Sequence, residues 1–492
     1  MKMAIYIQLG ATKINMQKNS NKFNAVNREK ICSFCIAGTS SGVGKTIITL
    51  ALIRAFVERG LKVQPFKCGP DYIDTEFHTK AAKNDSYNLD TWMMGEEQVR
   101  NTFLRKIKSS DIGIVEGVMG LFDGIKPDSL KGSTASVADL LGIPIILVVN
   151  AKSMAQSIAA IVKGYHTLWA NIKISGVIAN NVGSERHKNI LAEALKKHNL
   201  PPLIGVIPCN EAFKLSERHL GLTPEFEAGK EDQWYSEIAD VIKNNIDLEL
   251  LIRVSQTEDQ LQKLPLKASY VKPKPNSTLK LGIADDEAFH FYYRDNLDLL
   301  EENGFELIKF SPLHDKTLPN DLDAVYLGGG FPELFAKKLS SNNSMMLSIR
   351  NFAENDKIIF AECGGYMYLV NEFIDSSGNN FTMCGLLEGS GKMTSSLQRF
   401  GYKEIILDKD CLFGSKGTKL KGHEFHWSMI DYMPKSNNSL FLTKSIRESK
   451  WLKTGQIYKN IFASYIHVHF LSNTEIIENL RSFIEKKLKK RQ

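Results

Sequence analysis

The sequence predicts an α/β protein with two doubly wound domains, each built on a mainly parallel sheet. From residue 31 onward, short apolar runs typical of buried strands alternate with helical patterns. A Pro- and Lys-rich stretch at 264–277 interrupts this alternation, which restarts at Leu279. We therefore expect domains over residues 31–250 and 279–492, joined by a linker over residues 251–278.

Composition and charge exclude several classes of protein. The chain has 492 residues, of which 43% are hydrophobic and 24% are charged, as in ordinary globular proteins. No apolar run reaches the roughly 18 residues of a membrane span. The net charge of +7 is modest and comes without a basic stripe, so we expect neither a membrane nor a nucleic acid as partner. A polyanionic small substrate is compatible with this charge.

Cysteine usage and the first residues predict the compartment. Seven scattered cysteines, an odd number without the spacing of a disulfide framework, favour a reducing environment. Residues 1–30 are rich in Lys and Asn and lack the apolar core of a secretory signal. We expect a cytoplasmic protein whose residues 1–30 form a disordered extension.

The first predicted strand, residues 31–37, runs into the glycine-rich sequence GTSSGVGKT and then into a helical pattern. Strand, glycine loop, GK[ST] and helix form the architecture of a phosphate-binding loop, in which backbone N–H groups converge on phosphate. The lysine supplies a cation, and the threonine hydroxyl can reach Mg²⁺. The alternative is a tight turn that merely needs glycine. We expect nucleotide to contact Gly38, Thr39, Gly42, Gly44, Lys45 and Thr46.

Polar residues follow three further predicted strands, at positions 71, 74, 116, 180 and 181. Open α/β sheets bind ligands at the carboxyl ends of strands, and a phosphate-loop enzyme needs a second carboxylate near Mg²⁺. Glu116 is the candidate for that carboxylate. Asp71 and Asp74 are ligand-binding candidates, with capping of the next helix as the alternative. Asn180 and Asn181 are candidates for contact with the nucleotide base.

The second domain carries a candidate nucleophile, Cys363, between a predicted strand that ends at Glu362 and a glycine pair. A nucleophile on such a sharp strand-to-helix turn is an elbow, which exposes the thiol, and a helix N-terminus is expected to lower the pKa of the thiol. The amide of Gly364 then points toward a developing oxyanion. The glycine loop at Gly329 and Gly330 can supply the second donor.

Two histidines near the C-terminus are candidates for the base that this thiol requires. His467 and His469 lie two residues apart on one predicted strand and therefore face the same side. Metal ligation is the alternative, but no third ligand has a spacing that would join them. We expect one of the two to act as base to Cys363.

Long motifs in both halves resemble one family. They include FKCGPDYIDTEFH, EGVMGLFDG, AECGGYMYL and ASYIHVHF. By these motifs the chain resembles the cobyrinate a,c-diamide synthases over roughly residues 31–485. The resemblance implies an N-terminal ATPase domain similar to dethiobiotin synthetase, whose phosphate loop shares the displaced first glycine of this chain. In this loop five residues, rather than the usual four, separate Gly38 from Gly44, so the first glycine is displaced by one position. The resemblance also implies a class I glutamine amidotransferase-like domain in the C-terminal half.

The resemblance also implies roles for the candidate residues. Cys363 is the nucleophile, and His467 rather than His469 activates it. Many class I amidotransferases carry an orienting glutamate two residues after this histidine, where this chain has His469. The third member of the site is therefore missing or supplied elsewhere, and slow, substrate-gated glutaminase activity is expected.

The implied reaction is the ATP- and glutamine-dependent amidation of two peripheral carboxylates of cobyrinate, a polycarboxylate tetrapyrrole. Mg²⁺ held by Thr46, Asp71 and Glu116 accompanies ATP, Asp74 is a substrate-binding candidate, and Cys363 releases ammonia from glutamine. Ni-sirohydrochlorin and hydrogenobyrinate are alternative substrates. A switch ATPase of the partition type with a partner-binding second domain is the alternative from another class. The oligomeric state is left open, with a homodimer as one alternative.

Overall fold

The computed structural model describes residues 32–126, 128–209, 231–256, 277–432 and 438–490. The extension expected at residues 1–30 lies outside the described residues, as does most of the predicted linker. Within the described ranges, no helix has both the length and the apolarity that crossing a membrane requires.

A seven-stranded, fully parallel sheet organises the first domain. Its strands are β1 (Cys32–Gly38), β2 (Val63–Cys68), β3 (Tyr87–Leu89), β4 (Ile112–Glu116), β5 (Ile145–Asn150), β6 (Ile174–Val182) and β7 (Leu203–Pro208). They pair in the order β3-β2-β4-β1-β5-β6-β7. Because the strand order changes direction beside β1, the loop after β1 lies at a topological switch point, where open sheets bind ligands.

Helices cover both faces of this sheet. They are α1 (Lys45–Glu58), α2 (Ile73–Ala82), α3 (Glu96–Ile107), α4 (Thr134–Leu141), α5 (Ser157–Leu168), α6 (Glu185–Lys197), α7 (Glu231–Asn245) and α8 (Leu248–Val254). Side chains alternate along β1, so Phe34 and Ile36 pack with α1 while Cys35 and Ala37 pack in the opposite layer. The strands read as continuous apolar runs because both faces are covered.

Helix α8 corrects the predicted start of the linker. The first domain was expected to end at residue 250, but α8 continues to Val254 and buries Leu248 and Leu251 in the core. An isolated bridge then joins Gln256 to Cys32 of β1. A helix of seven residues is too short for a recognisable apolar period, so the pattern in the sequence faded before the domain ended.

A six-stranded sheet organises the second domain and is parallel except for one edge strand. The strands of this domain are β8 (Leu279–Ala284), β9 (Phe305–Phe310), β10 (Ala324–Leu327), β11 (Ile358–Glu362), β12 (Val370–Ile374), β13 (Asn380–Thr382), β14 (Leu387–Met393), β15 (Arg399–Leu407), β16 (Lys419–His426), β17 (Ser428–Ile430), β18 (Phe441–Ser445), β19 (Leu452–Thr454), β20 (Gln456–Tyr458), β21 (Ile461–Ser464) and β22 (His467–Val468). The helices are α9 (Arg294–Glu302), α10 (Ala336–Ser341), α11 (Asn343–Glu354), α12 (Gly364–Leu369) and α13 (Ile476–Lys489). The central sheet has the order β20-β21-β11-β10-β8-β9, and the α/β fold predicted for both halves is confirmed.

Two smaller sheets that the sequence did not predict are built onto this core. One has the order β13-β12-β14-β17, and the other is antiparallel with the order β19-β18-β15-β16-β22. Their strands are rich in half-exposed polar residues, as in β14 with the sequence LEGSGKM, and lack the apolar runs that identify covered strands. The antiparallel sheet bears on function because β22 carries His467.

Charged and aromatic side chains join the two domains. Basic residues of α3 pair with acidic residues of α9, namely Arg105 with Glu302 at 2.8 Å and Lys106 with Asp298. The loop after β2 reaches the start of β22, where the ring of Tyr72 lies on the ring of His467 with centroids 4.4 Å apart. The ligand-binding edge of the first sheet therefore faces the histidine of the second domain.

Candidate active site

The loop between β1 and α1 has the geometry of a phosphate cradle. Gly42 and Gly44 have φ angles of 76° and 97°, which glycine adopts without strain. Gly44 is the N-cap of α1, so the free N–H groups of the first helical turn open into the loop. The ammonium of Lys45 folds back onto the carbonyl oxygen of Ser40 at 3.0 Å. A bound phosphate would offer this ammonium a stronger, charge-assisted partner.

Neighbouring strands support this loop at both ends. A Cβ on Gly38 would lie 2.6 Å from a methyl group of Val43, so the turn requires glycine there. The N–H of Thr39 donates to the Val148 carbonyl of β5 at 3.2 Å. At the other end, the side-chain amide of Asn180 donates to the Val43 carbonyl at 2.8 Å. Asn180 thus holds the loop itself.

The second asparagine of the pair has a different environment. The side-chain amide of Asn181 donates to the Asn150 side-chain oxygen at 3.0 Å, at an exposed position. Its φ of 61° lies in the left-handed region, at the point where the register between β6 and β7 shifts. Contact of Asn180 or Asn181 with a nucleotide base stays a prediction.

Thr46 and Glu116, which came from separate motifs, meet in the structure. The Thr46 hydroxyl donates to Glu116 Oε1 at 2.6 Å, although 70 residues separate the two positions. Glu116 is fully buried at the end of β4, and its Oε2 hydrogen-bonds His78 Nε2 at 2.6 Å. The carboxylate that the sequence singled out therefore lies at the first turn of α1, beside the phosphate loop.

A buried lysine that the sequence analysis missed organises the acids. The ammonium of Lys67, near the end of β2, lies 2.8 Å from Glu116 and 2.5 Å from Asp74. Burial alone would lower the pKa of Lys67, but the carboxylates of Asp74, Glu116 and Asp71 outweigh burial and raise it well above its usual value. The same pairing keeps Glu116 ionised. Burial would raise the pKa of Glu116, but Lys67 and His78 lower it below its ordinary range.

The two aspartates of the Gly-Pro loop behave differently. Oδ1 of Asp71 accepts hydrogen bonds from the N–H groups of Ile73 and Asp74 at 2.9 and 3.0 Å. This oxygen therefore caps the start of α2, as the alternative to ligand binding predicted. Oδ2 of Asp71 makes no hydrogen bond among the described residues. Asp74 is buried against Lys67, and burial and the neighbouring Asp71 raise its pKa. Only Asp71 therefore has an oxygen open to a further ligand.

These residues fit a divalent cation that is shared with a nucleotide. Three carboxyl groups surround the Lys67 ammonium, so oxygen atoms that could hold a cation are concentrated in a buried place. In the part of the chain that the structure describes, no three His, Cys, Asp or Glu side chains form a complete metal site. Mg²⁺ is ordinarily held by one or two carboxylates together with water and phosphate oxygens. Thr46, Asp71 and Glu116 can supply such oxygens.

Cys363 occupies the expected elbow between β11 and α12. Its φ of 47° and ψ of −104° make the sharp strand-to-helix turn that raises a nucleophile above a sheet. The N–H of Cys363 donates to the Ser464 carbonyl at 2.8 Å, three residues before His467. The turn also packs closely, since a Cβ on Gly365 would lie 2.3 Å from the Leu327 carbonyl oxygen.

The prediction that the elbow lowers the thiol pKa is wrong for this structure. Burial raises the pKa of Cys363, and the carboxylate of Glu333 adds to the increase. The hydrogen bond from the Gly364 amide acts in the opposite direction but is outweighed. A helix of only six residues offers too small a field to offset the loss of water. The thiol is therefore held neutral and needs a base to take its proton.

The two glycine loops meet beside Cys363. A Cβ on Gly364 would lie 3.1 Å from the backbone nitrogen of Gly330, so the loops are in contact. The carbonyl of Gly329 accepts the N–H of Phe291 at 3.1 Å, which fixes the second loop. The N–H groups of Gly364 and Gly330 thus lie in neighbouring loops, as an oxyanion hole requires.

His467 is enclosed by residues of both domains. A Cβ on Gly329 would lie 2.4 Å from His467 Cε1, and the Tyr72 ring covers the imidazole from the first domain. Burial and then the neighbouring His423 and His426 lower the pKa of His467 to about 3. The imidazole is therefore neutral near pH 7, as a base must be before it acts.

His469 has a separate function in the structure. Its ring packs on Tyr293 with centroids 4.6 Å apart, and its Nδ1 accepts the N–H of Leu471 at 3.3 Å. It therefore caps the short helical turn that follows β22. Tyr72 and Glu362 were not predicted to contact His467, because both contacts join residues that lie more than 100 positions apart in the sequence.

Comparisons with known proteins agree with this architecture. Residues 34–222 match the family described as "CobQ/CobB/MinD/ParA nucleotide binding domain". Residues 280–475 match the family described as "CobB/CobQ-like glutamine amidotransferase domain". A cobyrinate a,c-diamide synthase of Caldanaerobacter subterraneus subsp. tengcongensis is 41% identical over 443 residues, which cover 90% of this chain and 96% of that protein. One of Syntrophotalea carbinolica is 42% identical over 439 residues, with 89% and 95% covered. The chain therefore belongs to the cobyrinate a,c-diamide synthase family.

Proposed function

We propose that the chain uses ATP and glutamine to amidate the a and c side-chain carboxylates of cobyrinate in cobalamin biosynthesis. The observation that carries the proposal is the position of Tyr72. Its backbone follows Asp71 beside the Lys67 cluster, and its ring lies on His467. A region suited to activating a carboxylate and a region suited to releasing ammonia therefore share one wall, as amide synthesis from these reagents requires.

In the first half-reaction, a peripheral carboxylate of the macrocycle attacks the γ-phosphorus of ATP, ADP leaves, and an acyl phosphate forms. The loop amides from Gly38 to Thr46 and the ammonium of Lys45 bind the phosphates. Mg²⁺, when bound through Thr46, Asp71 and Glu116, would neutralise phosphate charge. Lys67 keeps Glu116 ionised and in place.

In the second half-reaction, Cys363 Sγ attacks the carboxamide carbon of glutamine while His467 accepts the thiol proton. The N–H groups of the Gly364 turn and the Gly329–Gly330 loop face the developing oxyanion. The proton passes from His467 to the departing ammonia, and water hydrolyses the thioester to glutamate. Ammonia then displaces phosphate from the acyl phosphate, so each amide consumes one ATP and one glutamine.

The relatives favour cobyrinate among the alternative macrocycles. Those at about 40% identity over both domains are named cobyrinate a,c-diamide synthase, whereas none of those described above carries the name of a Ni-sirohydrochlorin or hydrogenobyrinate enzyme. The switch-ATPase alternative is not favoured, because the second half matches an amidotransferase family. We also infer the cytoplasm as compartment, since the six cysteines described besides Cys363 are unpaired thiols. That the chain forms a homodimer stays a prediction, which measurement of the molecular mass of the full-length protein by sedimentation can test.

The test compares glutamine with free ammonia as nitrogen donor, using full-length protein, ATP, Mg²⁺ and cobyrinate. We expect Cys363→Ala to abolish glutamine-dependent amidation and to retain ammonia-dependent amidation. Lys45→Ala should abolish both amidations and retain basal glutamate release. Loss of the ammonia reaction in Cys363→Ala would contradict the assignment of the two half-reactions. Parallel assays with Ni-sirohydrochlorin and hydrogenobyrinate test the choice of macrocycle.

A further inference from the structure

A buried acid that has no assigned role lies beside His467. Glu362 ends β11, is 2% exposed, and immediately precedes Cys363. Its Oε2 lies 3.8 Å from Nδ1 of His467. That Nδ1 atom is buried and makes no hydrogen bond within the described residues. A small movement that shortens this distance would therefore form a hydrogen bond between Nδ1 of His467 and the carboxyl group of Glu362.

The backbone and a tyrosine hold Glu362 in this position. The N–H of Val468, the residue after His467, donates to Glu362 Oε1 at 2.9 Å. The Tyr326 hydroxyl donates to Oε2 at 2.6 Å. One bond therefore ties the carboxyl group to the strand that carries the histidine, and the other orients the oxygen that faces it.

The neighbouring candidates for the same role are occupied elsewhere. His469 packs on Tyr293 and accepts a backbone N–H, as described above. The oxygens of Glu424 pair with Lys403 at 3.1 Å and with His426 at 2.8 Å. Among the described residues, Glu362 is the acid that lies within 4 Å of His467.

We propose that Glu362 is the positioning residue that orients His467 for the glutaminase reaction, in place of the glutamate that other class I amidotransferases carry at the position of His469. The inference rests on the proposed roles of Cys363 and His467. Nδ1–H of His467 donates to the ionised Glu362, which leaves Nε2 free to take the proton of Cys363 Sγ. The proton returns from Nε2 to the departing ammonia, and Glu362 gains none.

The electrostatics of the pair support this role. Burial raises the pKa of Glu362 to about 8, and burial lowers the pKa of His467 to about 3, so each group alone resists charge. Formation of imidazolium beside an ionised carboxylate relieves both penalties at once. Nδ1 of His467 and Oε2 of Glu362 are 3.8 Å apart, so an approach of about 1 Å would form a hydrogen bond between them. Catalytic contacts often tighten in this way when substrate binds.

The other ionisable groups around Glu362 carry no positive charge near neutral pH. They are the phenols of Tyr72, Tyr292, Tyr293 and Tyr326 and the thiol of Cys363. Their pKa values are all raised, first by burial. His467 is therefore the natural partner for a negative charge on Glu362.

The principal variant is Glu362→Gln, which keeps the shape and the Val468 bond but cannot ionise. We expect kcat for glutamine hydrolysis to fall at least about 100-fold with KM for glutamine within about threefold, and ammonia-dependent amidation to stay at the wild-type rate. Wild-type kcat/KM should rise with pH through about 8, where Glu362 ionises, and this limb should be absent from the variant. Glu362→Asp should restore part of the rate and bring the limb back at a different pH, because the ordinary pKa of an aspartate differs from that of a glutamate.

Tyr326→Phe is the matched control, because it removes the other bond to Oε2 and leaves the carboxyl group. The rise of kcat/KM with pH should persist in this variant but occur at higher pH. At pH values above that rise, kcat/KM for glutamine hydrolysis should stay within about threefold of wild type. Alkylation of Cys363 by iodoacetamide gives an independent readout, with the exposed thiol of Cys209 as the reference in the same peptide digest. Glu362→Gln should slow alkylation of Cys363 alone.

A Glu362→Gln protein with wild-type kcat and an intact pH limb would overturn the inference. If that protein does not fold, as loss of ammonia-dependent amidation would reveal, Glu362→Asp decides, and an unchanged limb there overturns it. Wild-type protein and Cys363→Ala are run alongside. No difference between those two in glutamine hydrolysis means that the proposed function has failed, whereas a difference there with a normal Glu362→Gln means that only this inference has failed.

Discussion

The two candidate sites use opposite electrostatic arrangements. In the first domain, Lys67, Glu116 and Asp74 are in direct contact at 2.5 and 2.8 Å, so opposite charges are paired before any ligand binds. In the second domain, burial keeps both Cys363 and His467 neutral. The first site is preorganised for charged phosphate, whereas the second must create its charges during the reaction.

This difference matches the different demands of phosphoryl transfer from ATP and of ammonia release from glutamine. A preorganised, charged cradle stabilises a transferring phosphoryl group without reorganisation when the reaction occurs. A neutral thiol and a neutral base react slowly on their own, so we expect little loss of ammonia while no acyl phosphate is present. The comparison leads to four predictions, in order of decreasing effect.

The largest effect is expected from Lys67→Met, which removes the ammonium that contacts both Glu116 and Asp74. Breaking a buried pair by deleting one partner costs about 3–5 kcal/mol. We expect a large fall in thermal stability and at least about a 1000-fold loss of ammonia-dependent amidation. Lys80→Met is the control, since Lys80 pairs with Glu76 at the surface and should cost less than about 1 kcal/mol. Equal effects of the two changes would show that the first site is not preorganised by Lys67.

Gly329→Ala tests the second site alone. Its Cβ would lie 2.4 Å from His467 Cε1, so the imidazole must move. A displacement of this size in a base is expected to cost about 100-fold in glutamine hydrolysis, while the ammonia reaction continues. The control is Gly164→Ala in α5, where the added methyl group meets nothing within 4 Å. A normal glutaminase rate in Gly329→Ala would contradict the enclosure of His467.

Asp295 of α9 accepts a hydrogen bond from the Thr102 hydroxyl of α3 at 3.0 Å, so Asp295→Asn tests the interface between the two domains through the pH dependence of stability. Burial raises the pKa of Asp295 from its usual 3.8 to about 7, so the folded state binds more protons than the unfolded state in this window. The carboxyl group therefore costs stability progressively as pH rises from about 4 to 7. We expect the free energy of unfolding of the variant, relative to wild type, to improve by about 2 kcal/mol between pH 5 and pH 8. Denaturant titrations at both pH values measure this, and a constant difference would refute it.

The smallest effect is expected from Tyr72→Phe. The change removes the 2.7 Å hydrogen bond between the hydroxyls of Tyr72 and Tyr293 but keeps the ring on His467. One hydrogen bond contributes about 1 kcal/mol, so glutamine-dependent and ammonia-dependent rates should each change by at most about fivefold. Tyr72→Ala also removes the ring and should affect the glutamine reaction more strongly. Identical kinetics for the two variants would exclude the ring as a support for His467.

The sequence predicted those parts of the fold that depend on local patterns. The strands β7, β8 and β10 begin and end where their apolar runs do, because both faces of the central sheets are covered there. The phosphate loop and the Cys363 elbow were recognisable because glycines must occupy fixed offsets in a tight turn. The two small sheets were missed because their strands carry many polar, half-exposed residues and lack apolar runs.

The parts of the sites that were not predicted depend on distant pairings. Lys67 reads as an ordinary lysine until β2 and β4 pair and bring it to Glu116. Glu362 reads as a strand end until β11 and β22 converge. The thiol pKa was predicted with the wrong sign because burial depends on how completely the second domain closes over Cys363, which no local motif reports.

The pairing of α3 with α9 has a consequence for how the two domains respond to their medium. Arg105 and Glu302 are each 32% exposed, so dissolved ions can reach and screen this contact. The Debye length shortens from about 10 Å at 0.1 M salt to about 3 Å at 1 M. Dissolved ions do not screen hydrophobic burial, and salts such as sulfate strengthen it because they are excluded from the protein surface. Ionic strength should therefore weaken the contact between Arg105 and Glu302, while the aromatic contacts between the domains, such as that of Tyr72 with Tyr293, persist and each domain stays folded.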